Sequence, residues 1–287
     1  MPKTCVLFTA PHSKEFREGH SNRTHSREQY TEDLAKTFAK TIGGGYIVWN
    51  KTAIDNANTD KPRKSDPRYW DPNFLPDTRR TWYGWMKYMH EARKNCIAAL
   101  SGLHVDLHGM GDATAIRLGE HLIIGTRAME TVKNNPRQYD ETKSKKLKAN
   151  LTKALEATFK NLRTKLILKR KGGRSKLPLR IARGKEPGGT ETFVGDWGSG
   201  GYPFGKGTNS MTRISTEKRL WSTYRKDDVQ KPFGCAVQVE MSEELRKVLN
   251  KEKKVAKEMA KKILDAFRAT GCKYNDMDTS PTTDVSY

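Results

Sequence analysis

No stretch of this chain approaches the roughly 20 consecutive apolar residues that a membrane-spanning helix needs. Its longest apolar stretches are of the kind seen at Ile42 to Trp49 and Leu166-Ile167-Leu168, so no spanning helix is expected. The amino terminus turns polar at Pro11-His12, too soon for a secretory signal. Cysteine is scarce: the four residues Cys5, Cys96, Cys235 and Cys272 stand singly, with no CxxC pair. That excludes a disulfide framework and fits a reducing compartment, the cytoplasm. The phosphate-cradling pattern GxxxxGK[ST] is absent, and so is any collagenous or mucin-like bias. Acidic residues are too few to balance the basic ones, 33 Asp plus Glu against 54 Lys plus Arg, which leaves a formal charge of +21. A polyanion partner is one reading of that excess, and a solvated lysine-rich surface is the other.

What is present suffices for a folded, soluble protein. The 287 residues include 35% hydrophobic and 9% aromatic residues, with six Trp, enough for one sizeable core or two small ones. Short alternating or β-branched runs predict strands at Thr4 to Thr9, Tyr46 to Trp49, Leu103 to Leu107, Leu122 to Gly125 and Cys235 to Met241. Helical spacing intervenes. His25 to Ile42 aligns Tyr30, Leu34, Phe38 and Ile42, and Gly43-Gly44-Gly45 stops it. Thr81 to Leu100 and Ser242 to Thr270 are two further amphipathic helices. The alternation predicts an α/β fold with a mixed, largely parallel central sheet and helices on both faces. Ligand sites are then expected in the loops beyond strand carboxyl ends.

The rhythm breaks in two places. Asn56 to Thr78 reads as a long polar surface loop. From Glu141 to Glu186 there are 16 Lys or Arg against 3 Glu, a net of +13. Leu147, Leu151, Leu155, Phe159, Leu162 and Leu166 repeat there at helical spacing, and Lys169 to Arg174 reads as a flexible basic turn. The chain is thus expected to form one domain over 1–273, with a basic helical insertion at about 141–186 and a disordered tail at 274–287.

Three clusters could carry chemistry. His12 and Glu15 follow the first strand in a Pro11-His12-Ser13-Lys14-Glu15 turn, where an imidazole and a carboxylate can reach one divalent ion. The competing reading is a surface His beside a solvated Glu. In Leu103-His104-Val105-Asp106-Leu107-His108-Gly109, strand alternation puts His104, Asp106 and His108 on one face. His108 is placed as a metal ligand, and Asp106 to orient a ligand imidazole from behind; a hydrogen-bonded core His and Asp is the alternative. In Val237-Gln238-Val239-Glu240-Met241-Ser242, Glu240 near a strand end is a candidate general base, or else a carboxylate favoured by the following helix amino terminus. Phe193 to Gly205, rich in glycine and aromatics, is either a lid or an ordinary surface loop.

The order HxxE, DxH, E, each at a strand end, resembles the zinc carboxypeptidase and N-formylglutamate amidohydrolase superfamily, and the amidohydrolase branch more closely. Similar to that branch are Pro11-His12-Ser13, Asn22-Arg23-Thr24 with Tyr30-Thr31-Glu32-Asp33-Leu34-Ala35, Asp55-Asn56-Ala57-Asn58, Tyr88-Met89-His90, Asp106-Leu107-His108-Gly109-Met110 and Val237 to Ser242. The resemblance spans roughly Lys3 to Lys247. It implies one Zn2+ per chain and hydrolysis of an amide bond adjacent to a carboxylate, in an N-acyl amino acid, a peptide carboxyl terminus or a γ-linked glutamyl chain. The implied ligands are His12 and His108, with Glu15 as the second ligand and Glu18 or Glu32 as alternatives, and Glu240 acts on the water. A substrate carboxylate calls for a guanidinium. Arg23 and Arg127 are the candidates, Arg127 also serving at the reaction centre. The alternative function is a polyanion-binding protein, engaging nucleic acid, an acidic polypeptide or anionic lipid through Lys143 to Lys185.

Overall fold

The structure is a computed structural model and describes residues 4–17, 24–49, 102–112, 115, 121–125, 141–159, 168–170, 173–175 and 235–271. The expected helix at 81–100, the loops at 56–78 and 193–205 and the tail at 274–287 lie outside the described residues.

Five strands form one sheet: β1 (Val6–Ala10), β4 (Gly45–Val48), β5 (Leu103–Met110), β6 (Leu122–Gly125) and β9 (Cys235–Ser242). Their order is β4-β1-β5-β9-β6, with every pairing parallel except that β6 runs antiparallel to β9. A mixed, mostly parallel sheet with helices is therefore what the chain builds, and all five strands overlap the runs predicted from alternation and β-branched residues. Two small antiparallel pairs stand apart from it, β2 (Phe16–Arg17) with β3 (Thr24–His25) and β7 (Leu168–Arg170) with β8 (Gly173–Ser175). Within the expected flexible turn at 169–174, Lys169 and Arg170 pair as strand with Arg174 and Gly173.

The register sorts the side chains. Lateral partners in a sheet point to the same face, so Val6, Phe8, Ala10, Leu103, Val105, Leu107, Val237, Val239 and Met241 share one side and are all buried. Four described helices contribute to the core on that side: α1 (Thr31–Ile42), α2 (Glu141–Phe159), α3 (Glu243–Lys251) and α4 (Lys253–Thr270). Phe8 meets Phe38 of α1 edge to face, with ring centroids 5.6 Å apart. Each such fully buried side chain contributes about 1.5–3 kcal/mol.

α1 begins later than the spacing from His25 predicts. Thr24–His25 is drawn into pairing with Phe16–Arg17, and Tyr30 takes a left-handed backbone, φ 70°, which helical geometry cannot accommodate. Gly43, φ 69°, caps the far end, and the Gly44 N–H closes on the Ala39 carbonyl at 2.9 Å. The helix expected at 242–270 is two helices. Glu252, φ −91° and ψ 69°, breaks it where no apolar residue falls between Leu249 and Val255 to hold a turn onto the core. α2 packs along α4 and buries Leu147, Leu151 and Leu155 in the common core. The first part of the expected insertion is therefore built into the core. Among the described residues, no helix is long and apolar enough to cross a membrane. Cys5 carries a buried thiol, whereas Cys235 is disulfide-bonded to a partner outside the described residues; the single spacing of the cysteines gave no sign of that bond.

Candidate metal centre

The face opposite the apolar core buries a row of polar groups among Leu7, Ile47 and Ile123. Thr9, His104, Asp106, His108, Gln238 and Glu240 all point to it, by the pairings Thr9 with Asp106, Asp106 with Gln238, and His108 with Glu240. Each is at most 5% exposed. So many polar groups survive burial only if they satisfy one another or a ligand.

Most of them do satisfy one another, in a directed chain. The Thr9 hydroxyl donates its one proton to Asp106 Oδ1, so its oxygen must accept from His104 Nε2, 2.8 Å away. Burial holds the His104 pKa down at about 4, consistent with a neutral ring that donates from Nε2. Asp106 Oδ2 in turn accepts from His108 Nε2 at 3.0 Å. Burial alone would raise the Asp106 carboxyl, but the charge of His108 and the hydrogen bonds from His108 and Thr9 bring it below the ordinary value. With its Nε2 proton committed to Asp106, His108 presents Nδ1 to the turn after β1.

There it meets His12 and Glu28. His108 Nδ1 stands 3.2 Å from His12 Nδ1 and 3.6 Å from Glu28 Oε2, and His12 Nδ1 stands 2.9 Å from Glu28 Oε1. The donor atoms of all three residues lie within 4.8 Å of one another. Tetrahedral ligands at 2.0–2.1 Å from one zinc ion are about 3.3 Å apart, so the imidazole pair has the spacing of two ligands on one ion. Two imidazoles, a carboxylate and an outer carboxylate behind one ring form a donor set suited to a divalent transition metal. The cluster could hold such an ion.

Two backbone hydrogen bonds deliver Glu28. Its N–H donates to the His12 carbonyl at 2.9 Å, and its Oε2 accepts from the Gly109 N–H at 2.7 Å. Burial alone would raise its carboxyl, but His12 and His108 hold it well below the ordinary value. His108 is shifted the opposite way: burial would push it down, and Asp106 and Glu28 raise it well above the ordinary histidine value. The turn from Glu28 to α1 passes through the left-handed Tyr30, a conformation that costs a bulky residue about 1 kcal/mol or more and tends to collect at functional sites.

Glu240, the lateral partner of His108, accepts from Gln238 Nε2 at 2.7 Å. Burial pushes its carboxyl up to about 7, against the lowering effect of His108.

The structure thus brings together His12 and His108, with Asp106 behind His108 and Glu240 beside it, and supplies Glu28 where the sequence pointed to Glu15. Glu15 is exposed and outside the cluster. Glu32 lies in the first turn of α1, where its Oε1 accepts from Arg27 at 2.8 Å. Glu18, Arg23 and Arg127 lie outside the described residues. Glu28 has no local signature, because 15 residues separate it from His12; the pairing of Phe16–Arg17 with Thr24–His25 and the hydrogen bond from the Glu28 N–H to the His12 carbonyl bring them together. No family model, no curated protein and no solved structure matches this chain.

Proposed function

We propose that this chain is a zinc-dependent hydrolase of an amide bond adjacent to a carboxylate, related to the N-formylglutamate amidohydrolase branch of the zinc carboxypeptidase-like superfamily. The observation that carries the reading is the convergence of His12, Glu28 and His108 on one buried point, with Glu240 paired in register to His108 on the next strand. Structural histidines rarely need two imidazoles and a carboxylate aimed at each other with a second carboxylate behind.

When bound, a zinc ion supplies Lewis acidity towards a carbonyl oxygen and acidifies water. The chain's own residues supply the rest. Asp106 fixes the His108 ring and its tautomer, and Glu28 adds the anionic donor. Glu240 takes the proton of the attacking water and delivers it to the leaving nitrogen as the C–N bond breaks, so that it starts and ends the cycle as a carboxylate. Arg23 and Arg127 remain our candidates for the guanidinium that receives the substrate carboxylate.

The test is elemental analysis of untagged wild type beside His108→Ala, followed by assay on N-acyl amino acids and acidic peptides. About one zinc per chain, lost in the variant, and zinc-dependent hydrolysis are the expected results. Metal-free wild type that gains neither stability nor activity from zinc would end this reading.

A second reading rests on the net +13 of residues 141–186 and on α2, which turns Lys145, Lys146 and Lys153 to solvent while its leucines are buried. That segment binds a polyanion, either as the whole function or to bring an acidic polymer to the centre. Binding should weaken at least tenfold when several phosphate contacts are screened by salt, and salt-independent binding would remove the idea.

A further inference from the structure

Arg246 is an expensive residue to bury, because taking a guanidinium out of water costs several kcal/mol unless it is fully bonded. It is 4% exposed, in the first turns of α3. Its nearest hydrogen bonds go to main-chain carbonyls: Nε donates to Gln29 O at 2.9 Å and Nη1 donates to Met241 O at 2.6 Å. The guanidinium also lies flat against Gly109, where an added Cβ would meet Nη1 at 1.8 Å and Cζ at 2.3 Å.

Each contact touches the neighbour of a site residue. Gln29 follows Glu28, Gly109 follows His108, and Met241 follows Glu240. Strand alternation turns the Cα–Cβ direction of Gly109 away from the face that carries His108, so the guanidinium approaches from the helix side and leaves the polar face clear. Gly109 additionally donates its N–H to Glu28 Oε2 at 2.7 Å, and that geometry requires the strand end to stay where the guanidinium presses on it. Burial pushes the Arg246 pKa down, opposed by the charges of Glu28, Glu240, Glu243 and Asp112.

We propose that Arg246 is a positioning residue that ties together, from behind the sheet, the three segments carrying Glu28, His108 and Glu240. It sets the spacing of the centre without touching metal or substrate. No apolar side chain of similar size could do this, since the task needs two donors aimed at carbonyls on different segments and a flat group thin enough to lie on a glycine. The role rests on the metal-centre reading above.

Zinc affinity by chelator competition is the readout, measured on the full chain for wild type, His108→Ala, Arg246→Met, Arg246→Lys, Gly109→Ala and the Gly109→Ala/Arg246→Met pair. Leu249→Ala, in the same helix and fully buried, is the control for plain destabilisation. Wild type should bind, His108→Ala should not, and Arg246→Met should bind about 10- to 100-fold more weakly, as losses of supporting groups around ligands do. Gly109→Ala should show a similar loss because its Cβ displaces the guanidinium, and the double variant should be no weaker than the poorer single one. Leu249→Ala should melt earlier yet keep its zinc affinity. If Arg246→Met or Gly109→Ala does not fold, Arg246→Lys decides: its ammonium can still donate to a carbonyl but lacks the planar fork that reaches both segments and lies on Gly109, so an intermediate loss is expected. Wild-type affinity in the folded Arg246 variants, or additive losses in the pair, would overturn the role while leaving the metal centre standing. A wild type that binds no zinc overturns both.

Discussion

Asp106 Oδ2 accepts from His108 Nε2 at 3.0 Å, on the side of the ring away from Nδ1, which stands 3.2 Å from His12 Nδ1. One carboxylate thereby decides which nitrogen of His108 meets the cluster. It serves two donors at once, since its other oxygen takes the Thr9 hydroxyl proton. An amide in its place has a single acceptor oxygen. Asp106→Asn should therefore leave either His108 or Thr9 facing an NH2 group, weaken zinc binding about 10- to 100-fold and destabilise the fold by about 1–3 kcal/mol. Chelator competition and urea unfolding on the same preparation measure the two effects, and a variant that binds zinc like wild type would refute the orienting role.

Zinc and protons should compete for this centre. In the metal-free protein His108 holds its proton well above the ordinary histidine value, because Asp106 and Glu28 outweigh the effect of burial. A ligand nitrogen must give that proton up. Apparent zinc affinity should then rise about tenfold per pH unit through the neutral range, with one proton released per ion bound. Titration calorimetry in buffers of different ionisation enthalpy counts the protons. Affinity that stays flat from pH 6 to 8 would mean that His108 is not a ligand.

His104 makes a separate, acid-side prediction. Burial holds it neutral down to about pH 4, whereas in the unfolded chain it takes up a proton near 6.5. Between those values the unfolded state holds more protons, so stability is complete above about 6.5 and is lost as pH falls towards 4. The loss is on the order of 3 kcal/mol from this one group. His104→Gln keeps a side-chain N–H for Thr9 and cannot titrate. Urea unfolding from pH 4 to 7 should show the variant gaining on wild type as pH falls, and parallel curves would contradict the assignment.

The strands were the legible part of this fold. Val6 and Phe8, or Val237 and Val239, are β-branched or aromatic and lie in short apolar or alternating runs with clear ends, so the local pattern identifies them. Leu147, Leu151 and Leu155 were equally clear as a helix stripe, but nothing local told whether that helix stands off the core or builds it; only its packing on α4 does. The site divides in the same way. Asp106, His108 and Glu240 follow from strand alternation, which is a local property. Glu28 and Arg246 do not, because a loop-to-loop hydrogen bond and a helix reaching under two strand ends bring them to the centre.

Glu240 should trade stability against turnover. Burial pushes its carboxyl up to about 7 in the metal-free fold, from an ordinary value of 4.5. The folded state then keeps a proton that the unfolded chain has already lost, so this group's contribution is complete below about pH 4.5 and is lost as pH rises through 7. Glu240→Gln is neutral throughout and can still accept from Gln238 Nε2. Metal-free Glu240→Gln should therefore be more stable than wild type at pH 8, by an amount on the order of 3 kcal/mol, and indistinguishable from it near pH 4.5. The same substitution removes the proposed proton carrier and should cost turnover about 10²- to 10⁴-fold while leaving zinc bound. Thermal melts at the two pH values, zinc content and hydrolysis rate together check this. A variant that hydrolyses amides as fast as wild type would take Glu240 out of the chemistry, and one that is less stable at pH 8 would show that its carboxylate is held charged.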